Sequence, residues 1–242
     1  MLIINADDYG KNRLCTDNIL SCFAEERITS ASAMVFMADS ERSADLAIEN
    51  NLDAGLHLNF TQSFSGHIKS ATLIEYQEKI AKFLLSNRYS LLIYNPILKN
   101  HFDYIYKSQV EEYVRLYNRN PTHIDGHHHM HLCMNMLINK LIAKGFKVRR
   151  NFFFLPGEKN TINRLYRYII DAWLMRRYTC TDFLFNISPI KPERIEAIVR
   201  RSKSAIVELE VHPEEPKEYT YLMSDEYRLM ISCVDTGTYT TL

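Results

Sequence analysis

Glycine is scarce in this chain, at 7 residues of 242, where average usage of about 7% would place roughly 17. No Gly/Ser/Pro linker, low-complexity tract or internal repeat is present, so the sequence offers no seam between domains. A surplus of charge is missing too. Lys and Arg number 29 against 29 Asp and Glu, which removes the electrostatic case for a nucleic-acid or anionic-membrane partner. No apolar run approaches the roughly 18 residues that a membrane span requires. The N-terminal Met1–Asp8 has no cationic segment and reaches two carboxylates within eight residues, unlike a signal peptide. The five cysteines, Cys15, Cys22, Cys133, Cys180 and Cys233, are odd in number, scattered and never C-x-x-C. That argues against a disulfide framework or thiolate zinc site and for reduced thiols in a cytoplasmic protein.

What the chain does have is 46% hydrophobic and 24% charged residues, ordinary for a soluble globular protein with a large core. Its length suits one or two domains, and α/β barrels often fill this range alone. Histidine is the outlier: there are nine, and His123, His127, His128, His129 and His131 fall within nine residues.

Short apolar runs alternate with longer helical segments, the pattern of βα units around a largely parallel sheet. Strands are expected at Leu2–Asn5, Ser32–Phe36, Ala54–Asn59, Thr122–Asp125, Phe146–Arg149, Asp182–Phe185 and Ala205–His212. Several are almost wholly apolar, as strands covered on both faces should be. Helices are expected near Leu14–Glu26, Ser40–Asn50, Ser108–Asn118, Leu132–Ala143, Thr161–Arg176, Pro192–Ser202 and Ser224–Ile231. Ser108 with Glu111 reads as a capping box, Pro192 as a first-turn proline and Gly145 as a left-handed helix end. Seven or eight βα units suggest a closed or nearly closed barrel; a doubly wound open sheet reads similarly. Residues 60–100 are the least regular, with Thr72–Ser86 helical and the remainder a loop or helical insertion over the site. Residues 151–160 read as another loop.

In α/β folds reactive residues gather at the C-terminal ends of strands, and four expected ends carry polar groups. The first ends in Asn5-Ala6-Asp7-Asp8-Tyr9-Gly10. Adjacent carboxylates point in different directions, so one can bind a metal while the other handles a proton; equally, an Asp there can cap the next helix. The third ends in Gly55-Leu56-His57-Leu58-Asn59, where His57 reads as a ligand or a hydrogen-bonded core residue. The fourth carries the histidine cluster. In extended chain His123, Asp125, His127, His129 and His131 share parity and His128 opposes them. At about 3.3 Å per residue the set spans roughly 26 Å, too far for one ion. Gly126 should break the strand, leaving Asp125 at its tip and His127 just beyond. Imidazoles mixed with a carboxylate suit Zn²⁺ and similar ions. In the last, Glu208, Glu210 and His212 alternate with apolar residues. They face either the interior, where buried charge needs partners, or water. An Asp from one strand and a His from each of two others would make a three-ligand site with an open position, the form of a catalytic metal.

These segments together resemble the YdjC-like carbohydrate deacetylases, which include chito-oligosaccharide deacetylases. The likeness rests on Asn-Ala-Asp-Asp-Tyr-Gly at 5–10, Gly-Leu-His-Leu-Asn at 55–59, Pro-Thr-His-Ile-Asp-Gly-His-His-His-Met-His at 121–131 and Glu-Leu-Glu-Val-His-Pro at 208–213. It covers most of the chain, most loosely at 60–100 and 150–180. The resemblance implies a single domain over 1–242, a distorted (β/α) barrel related to the polysaccharide deacetylases. It implies one divalent ion, zinc or magnesium foremost, held by Asp8, His57 and His127. Asp7 would be the general base and His212 the proton donor. Asp125, His129, Glu208 and Tyr9 would orient the ligands or the substrate, and Tyr9, Phe60 and the aromatics of 152–154 could stack on a sugar ring. The substrate implied is a small N-acetylated saccharide, with no nucleic-acid or membrane partner and a homodimer as the family's frequent assembly. The competing readings are a non-catalytic metal- or sugar-binding barrel and another metal-dependent amidohydrolase. His128, Glu214 and the Glu26-Arg27 turn depart from the family's usual residues without removing an implied ligand.

Overall fold

A computed structural model of the chain describes residues 1–155, 158 and 161–242, leaving aside the side chain of Ile162. Among the described residues there are seven strands: β1 (Leu2–Tyr9), β2 (Ser30–Ala33), β3 (Asp53–Leu58), β4 (Ile124–Gly126), β5 (Phe183–Asn186), β6 (Val207–Val211) and β7 (Thr236–Gly237). Helices between them are α1 (Arg13–Ala24), α2 (Ser40–Glu49), α3 (Ala71–Leu84), α4 (Lys99–Tyr117), α5 (Met134–Asn139), α6 (Thr161–Leu174), α7 (Pro192–Arg201), α8 (Pro216–Leu222) and α9 (Asp225–Ile231). The strands form one α/β sheet in the order β4-β3-β2-β1-β6-β5, with β7 beside β1. Among the described residues, no helix is long and apolar enough to cross a membrane.

Two compact units divide the chain, one comprising residues 1–7, 17–31 and 144–242 and the other 8–16 and 32–143. In the first unit β6 pairs in parallel with β1 on one side and β5 on the other, setting Asn5 and Asn186 both opposite Glu210. Leu2, Ile3, Ile4, Ala6, Val207, Leu209 and Val211 are all buried, as strands covered on both faces require. In the second unit β3 pairs in parallel with β4, and His57 stands opposite Asp125. Helix α4 clamps β3 at both ends. The Tyr113 hydroxyl donates to the Ala54 carbonyl at 2.7 Å, and the Gln109 amide bonds both backbone groups of Asn59, at 2.7 and 3.1 Å. Gly55 has no side chain because the His123 ring lies against it; an added Cβ would sit 2.3 Å from that ring.

Several expectations are corrected. Ser108 is interior to α4, which begins nine residues earlier. Phe102, Ile105, Tyr106, Gln109 and Tyr113 are buried at three- and four-residue spacing, so the apolar stripe runs straight through the supposed cap. Gly145 does take a left-handed conformation, φ +90°, but in a turn, with its N–H on the Arg177 carbonyl. The preceding helix has already ended at Asn139, where Lys140 at φ +53° is the cap. Phe146–Arg149 forms no extended strand; it makes isolated bridges at Lys147 and Val148, with Lys147 opposite Thr179. β1 runs four residues further than expected and carries Asp7 and Asp8 within it. Thr72–Ser86 is helical as expected, as α3, whereas α8 and β7 carried no signal. Residues 151–155 and 158 have no regular structure; the rest of the expected 151–160 loop lies outside the described residues.

Candidate active site

The chemistry-bearing side chains fall into two groups, one in each unit, and the consecutive residues Asp7 and Asp8 of β1 contribute one carboxylate to each. In the second unit Asp8, His57 and His127 present ligand atoms within 4.8 Å of one another. Asp8 Oδ1 lies 2.8 Å from His127 Nδ1 and 3.3 Å from His57 Nε2, while Lys11 Nζ stands 3.3 Å from Oδ2. Burial opposes ionisation of Asp8, but hydrogen bonds and charge from His127 and His57 outweigh it and hold the carboxyl well below the usual carboxylate range. Asp8 also holds φ +69°, as His128 and His129 hold +53° and +57°. Non-glycine residues in this region cost free energy and persist where their surroundings fix them.

The other face of His57 is anchored. Its Nδ1 is 2.9 Å from Asp125 Oδ1, and Asp125 Oδ2 accepts from Ser32 Oγ at 2.7 Å. Ser32 Oγ is 3.0 Å from His123 Nε2, whose Nδ1 is 3.2 Å from Thr122 Oγ1. Ligating histidines commonly pass their second N–H to a carboxylate in this way, which fixes ring and tautomer. Asp125 therefore stands directly against His57, and His123 extends that network through Ser32.

The shared parity of the cluster ends at Gly126. Residues 127–132 turn into a short 3₁₀ segment with a break at His128 and His129. His127 turns inward while His128 is exposed, bonded to Thr61 Oγ1 at 3.1 Å. Burial of part of the ring and the neighbouring His127 push the His128 imidazole down to about 4. His129 lies near the buried His131, with ring centroids 6.1 Å apart and planes tilted by 41°, and belongs to no converging donor set among the described residues.

In the first unit the centre is Arg149, wholly buried. Its Nη1 and Nη2 grip Asp7 Oδ2 and Oδ1 at 2.6 and 2.7 Å, Nε donates to Glu208 at 2.7 Å, and Nη1 also reaches Glu210 at 3.2 Å. Asn5 donates to Asp7 at 2.9 Å, Asn186 donates to Glu210 at 3.0 Å, and the Tyr239 hydroxyl donates to Glu208. Glu208 and Glu210 thus face the interior rather than water. Arg149 was not foreseen as a site residue. Its signal was available: three buried carboxylates need a cation, and Arg149 closes an apolar run.

His212 follows β6, half-buried. Its Nε2 is 3.8 Å from Glu210 and its Nδ1 3.8 Å from Glu218, whose carboxylate also accepts the His212 backbone N–H at 2.6 Å. Burial disfavours the charged ring, but the Glu218 hydrogen bond and the charges of Glu210, Asp7 and Glu218 prevail, pushing it up to about 9. The ring is therefore an imidazolium at neutral pH. Tyr9 and Phe60 do not offer stacking faces. Both are wholly buried, Tyr9 with its hydroxyl on the Ser43 carbonyl and Phe60 against Phe102.

A family model described as YdjC-like protein matches residues 1–233. The chain is 26% identical over 200 residues to a carbohydrate deacetylase of Clostridium beijerinckii, covering 80% of this chain and 73% of that one. It is 27% identical over 190 residues to a carbohydrate deacetylase of Mus musculus, covering 74% and 57%. A chitooligosaccharide deacetylase of Yersinia enterocolitica is 25% identical over 134 residues, 54% of this chain and 51% of that one. The chain thus spans little more than half the length of the mouse and Yersinia relatives. In fold it is similar to a crystal structure from Enterococcus faecalis V583, described as a proposed cellobiose-phosphate cleavage protein. The TM-score is 0.70 with 17% identity, over 99% of this chain and 97% of that one.

Proposed function

The chain belongs to the YdjC-like family, and from that premise we propose that it is a metal-dependent hydrolase removing the N-acetyl group from an amino sugar, a chito-oligosaccharide or related saccharide. The observation that carries this is the convergence of Asp8, His57 and His127, with His57 backed by Asp125. One carboxylate and two imidazoles from separate segments match the donors of an open, catalytic divalent site. Zinc suits this set, and magnesium suits its more carboxylate-rich variants. A cation held there supplies Lewis acidity, polarising a carbonyl and acidifying water. The number of ions expected is one. Asp7, Glu210 and His212 also converge within 4.8 Å, but the Arg149 guanidinium already supplies the positive charge on two of them.

The remaining roles follow from the second group. Asp7 takes a proton from the attacking water. Its fork to Arg149 holds both oxygens in place. His212, already an imidazolium, gives its proton to the amide nitrogen as the C–N bond breaks, because an amide nitrogen leaves poorly unprotonated. Water's oxygen ends on the acyl carbon, and the products are acetate and a free amino sugar. The backbone N–H of Tyr9, next in sequence to Asp8, is the donor we assign to the acyl oxygen's developing charge. Five scattered cysteines with no C-x-x-C pair suit a reducing, cytoplasmic setting, and one domain over 1–242 is the organisation we assign.

The test is to offer the metal-loaded protein a panel of N-acetylated mono- and oligosaccharides and assay acetate. Release from at least one supports deacetylation. Tight metal binding with no acetate from any would favour a non-catalytic metal- or sugar-binding protein.

A further inference from the structure

Residues 234–242 lie beyond the stretch that the family model matches, yet they close on the centre of the first unit. β7 joins the sheet beside β1, with Thr236 opposite Leu2 and Gly237 opposite Ile3. The Leu2 N–H also donates to the Asp235 carbonyl at 2.8 Å. Thr238 then opens a 3₁₀ turn, Tyr239–Thr241, with a capping box. That turn carries the Tyr239 ring wholly out of solvent, and its hydroxyl donates to Glu208 Oε2. A buried tyrosine hydroxyl usually finds a hydrogen-bond partner. Here the partner is a buried carboxylate.

Glu208 takes the Arg149 Nε–H on its other oxygen, at 2.7 Å. Both of its oxygens are thus engaged, one by a guanidinium and one by a phenol, which fixes the plane of the carboxylate. The same guanidinium grips Asp7 through Nη1 and Nη2 at 2.6 and 2.7 Å. A guanidinium is planar, so its Nε and Nη directions cannot turn independently. The orientation of Glu208 is therefore passed on to both oxygens of Asp7. A second tether runs to the same place. Lys147, two residues before Arg149, donates to the Tyr239 and Thr240 carbonyls at 2.5 and 3.2 Å. The turn holds both the carboxylate that Arg149 binds and the backbone segment that delivers Arg149. We infer that Tyr239 is a positioning residue: through Glu208 and Arg149 it holds the Asp7 carboxylate in the orientation from which Asp7 takes a proton from water. The inference rests on the deacetylase reading above and adds to it a residue outside the family-matched stretch.

The experiment is Tyr239→Phe, which keeps the ring and removes only the hydroxyl. With an N-acetylated chito-oligosaccharide, kcat should fall about tenfold, the scale of a catalytic group held slightly out of line, while KM and the Zn²⁺ dissociation constant stay within about twofold. A merely structural role would lower the unfolding midpoint without that split. In a Glu208→Gln background the same change should lower kcat by less than about twofold, because Tyr239 acts through Glu208. A readout free of turnover is the Arg149 Nε–H resonance, whose exchange with solvent should quicken at least about tenfold in Tyr239→Phe. A wild-type kcat, an equal loss in the Glu208→Gln background, or an unchanged Arg149 resonance overturns the proposal. Faster Arg149 exchange, with no acetate released by the wild-type protein from any sugar, sinks the deacetylase reading and leaves Tyr239 as the group that fixes Arg149.

Discussion

His212 and Glu218 show how a single residue's surroundings set its chemistry. A proton donor must be charged at the working pH, and the carboxylates around His212 raise it from its ordinary 6.5 to about 9. The donor form therefore persists through neutrality and is lost as pH rises through about 9, so the rate of deacetylation should fall on an alkaline limb near that value. Folding is linked in the same sense: the stabilisation from the charged ring is complete below about 6.5 and disappears as pH passes about 9. Glu218→Gln keeps the shape but removes one charge, and should move the alkaline limb toward neutrality in a pH–rate profile. A limb that stayed in place would show that Glu218 does not act on His212. Asp7 and Asp8 divide differently. Asp7→Asn leaves the Asp8, His57 and His127 donors intact, so it should retain metal while losing about 10²–10⁴ in kcat. His127→Ala should lose both metal and turnover, as metal analysis beside an acetate assay would show.

At the level of elements, β3 is positioned by what it lacks. Gly55 admits the His123 ring against the strand. Gly55→Ala should therefore destabilise the protein by about 1–3 kcal/mol, as overpacking of a filled core does. Adding His123→Ala should bring the pair below the sum of the single effects in urea unfolding. Lys140 is the reverse case. It caps α5 at φ +53° with a side chain where glycine carries no steric cost, so Lys140→Gly should stabilise by about 0.5–1 kcal/mol. Legibility differed between these elements for physical reasons. Parallel strands buried on both faces show as apolar runs, so five of the seven expected strands recur at nearly their positions, and Ser32–Phe36 recurs earlier and shorter, as β2. The Ser108 capping box was local chemistry, overridden by an apolar stripe that continued past it. The parity of the histidines held only while the chain was extended, and the left-handed turn at His128 and His129 ended it.

For the whole molecule, the donors that converge are those at expected strand ends, because strand ends in an α/β sheet bring distant segments together. That position marked the Asp7-Asp8 pair, His57 and the 123–131 histidines as candidates, and the choice of Asp8, His57 and His127 among them came from the family resemblance. Arg149 was less legible: buried carboxylates on β1 and β6 call for a cation, but no pattern within one segment says which cation serves both. That cation holds Asp7, Glu208 and Glu210 in the interior. Arg149→Met would strand three buried carboxylates and should cost about 3–5 kcal/mol in denaturant unfolding, more at neutral pH than in acid, where protonation relieves the carboxylates. On the proposed reading the same group leaves a place for one ion rather than two. The most direct measurement of the account is therefore a titration of metal-stripped protein with Zn²⁺ while acetate release from an N-acetylated chito-oligosaccharide is followed. Activity should rise linearly and break at one equivalent per chain, and Asp8→Asn should abolish the rise. Full activity in the stripped protein, or a break at two equivalents, would contradict it.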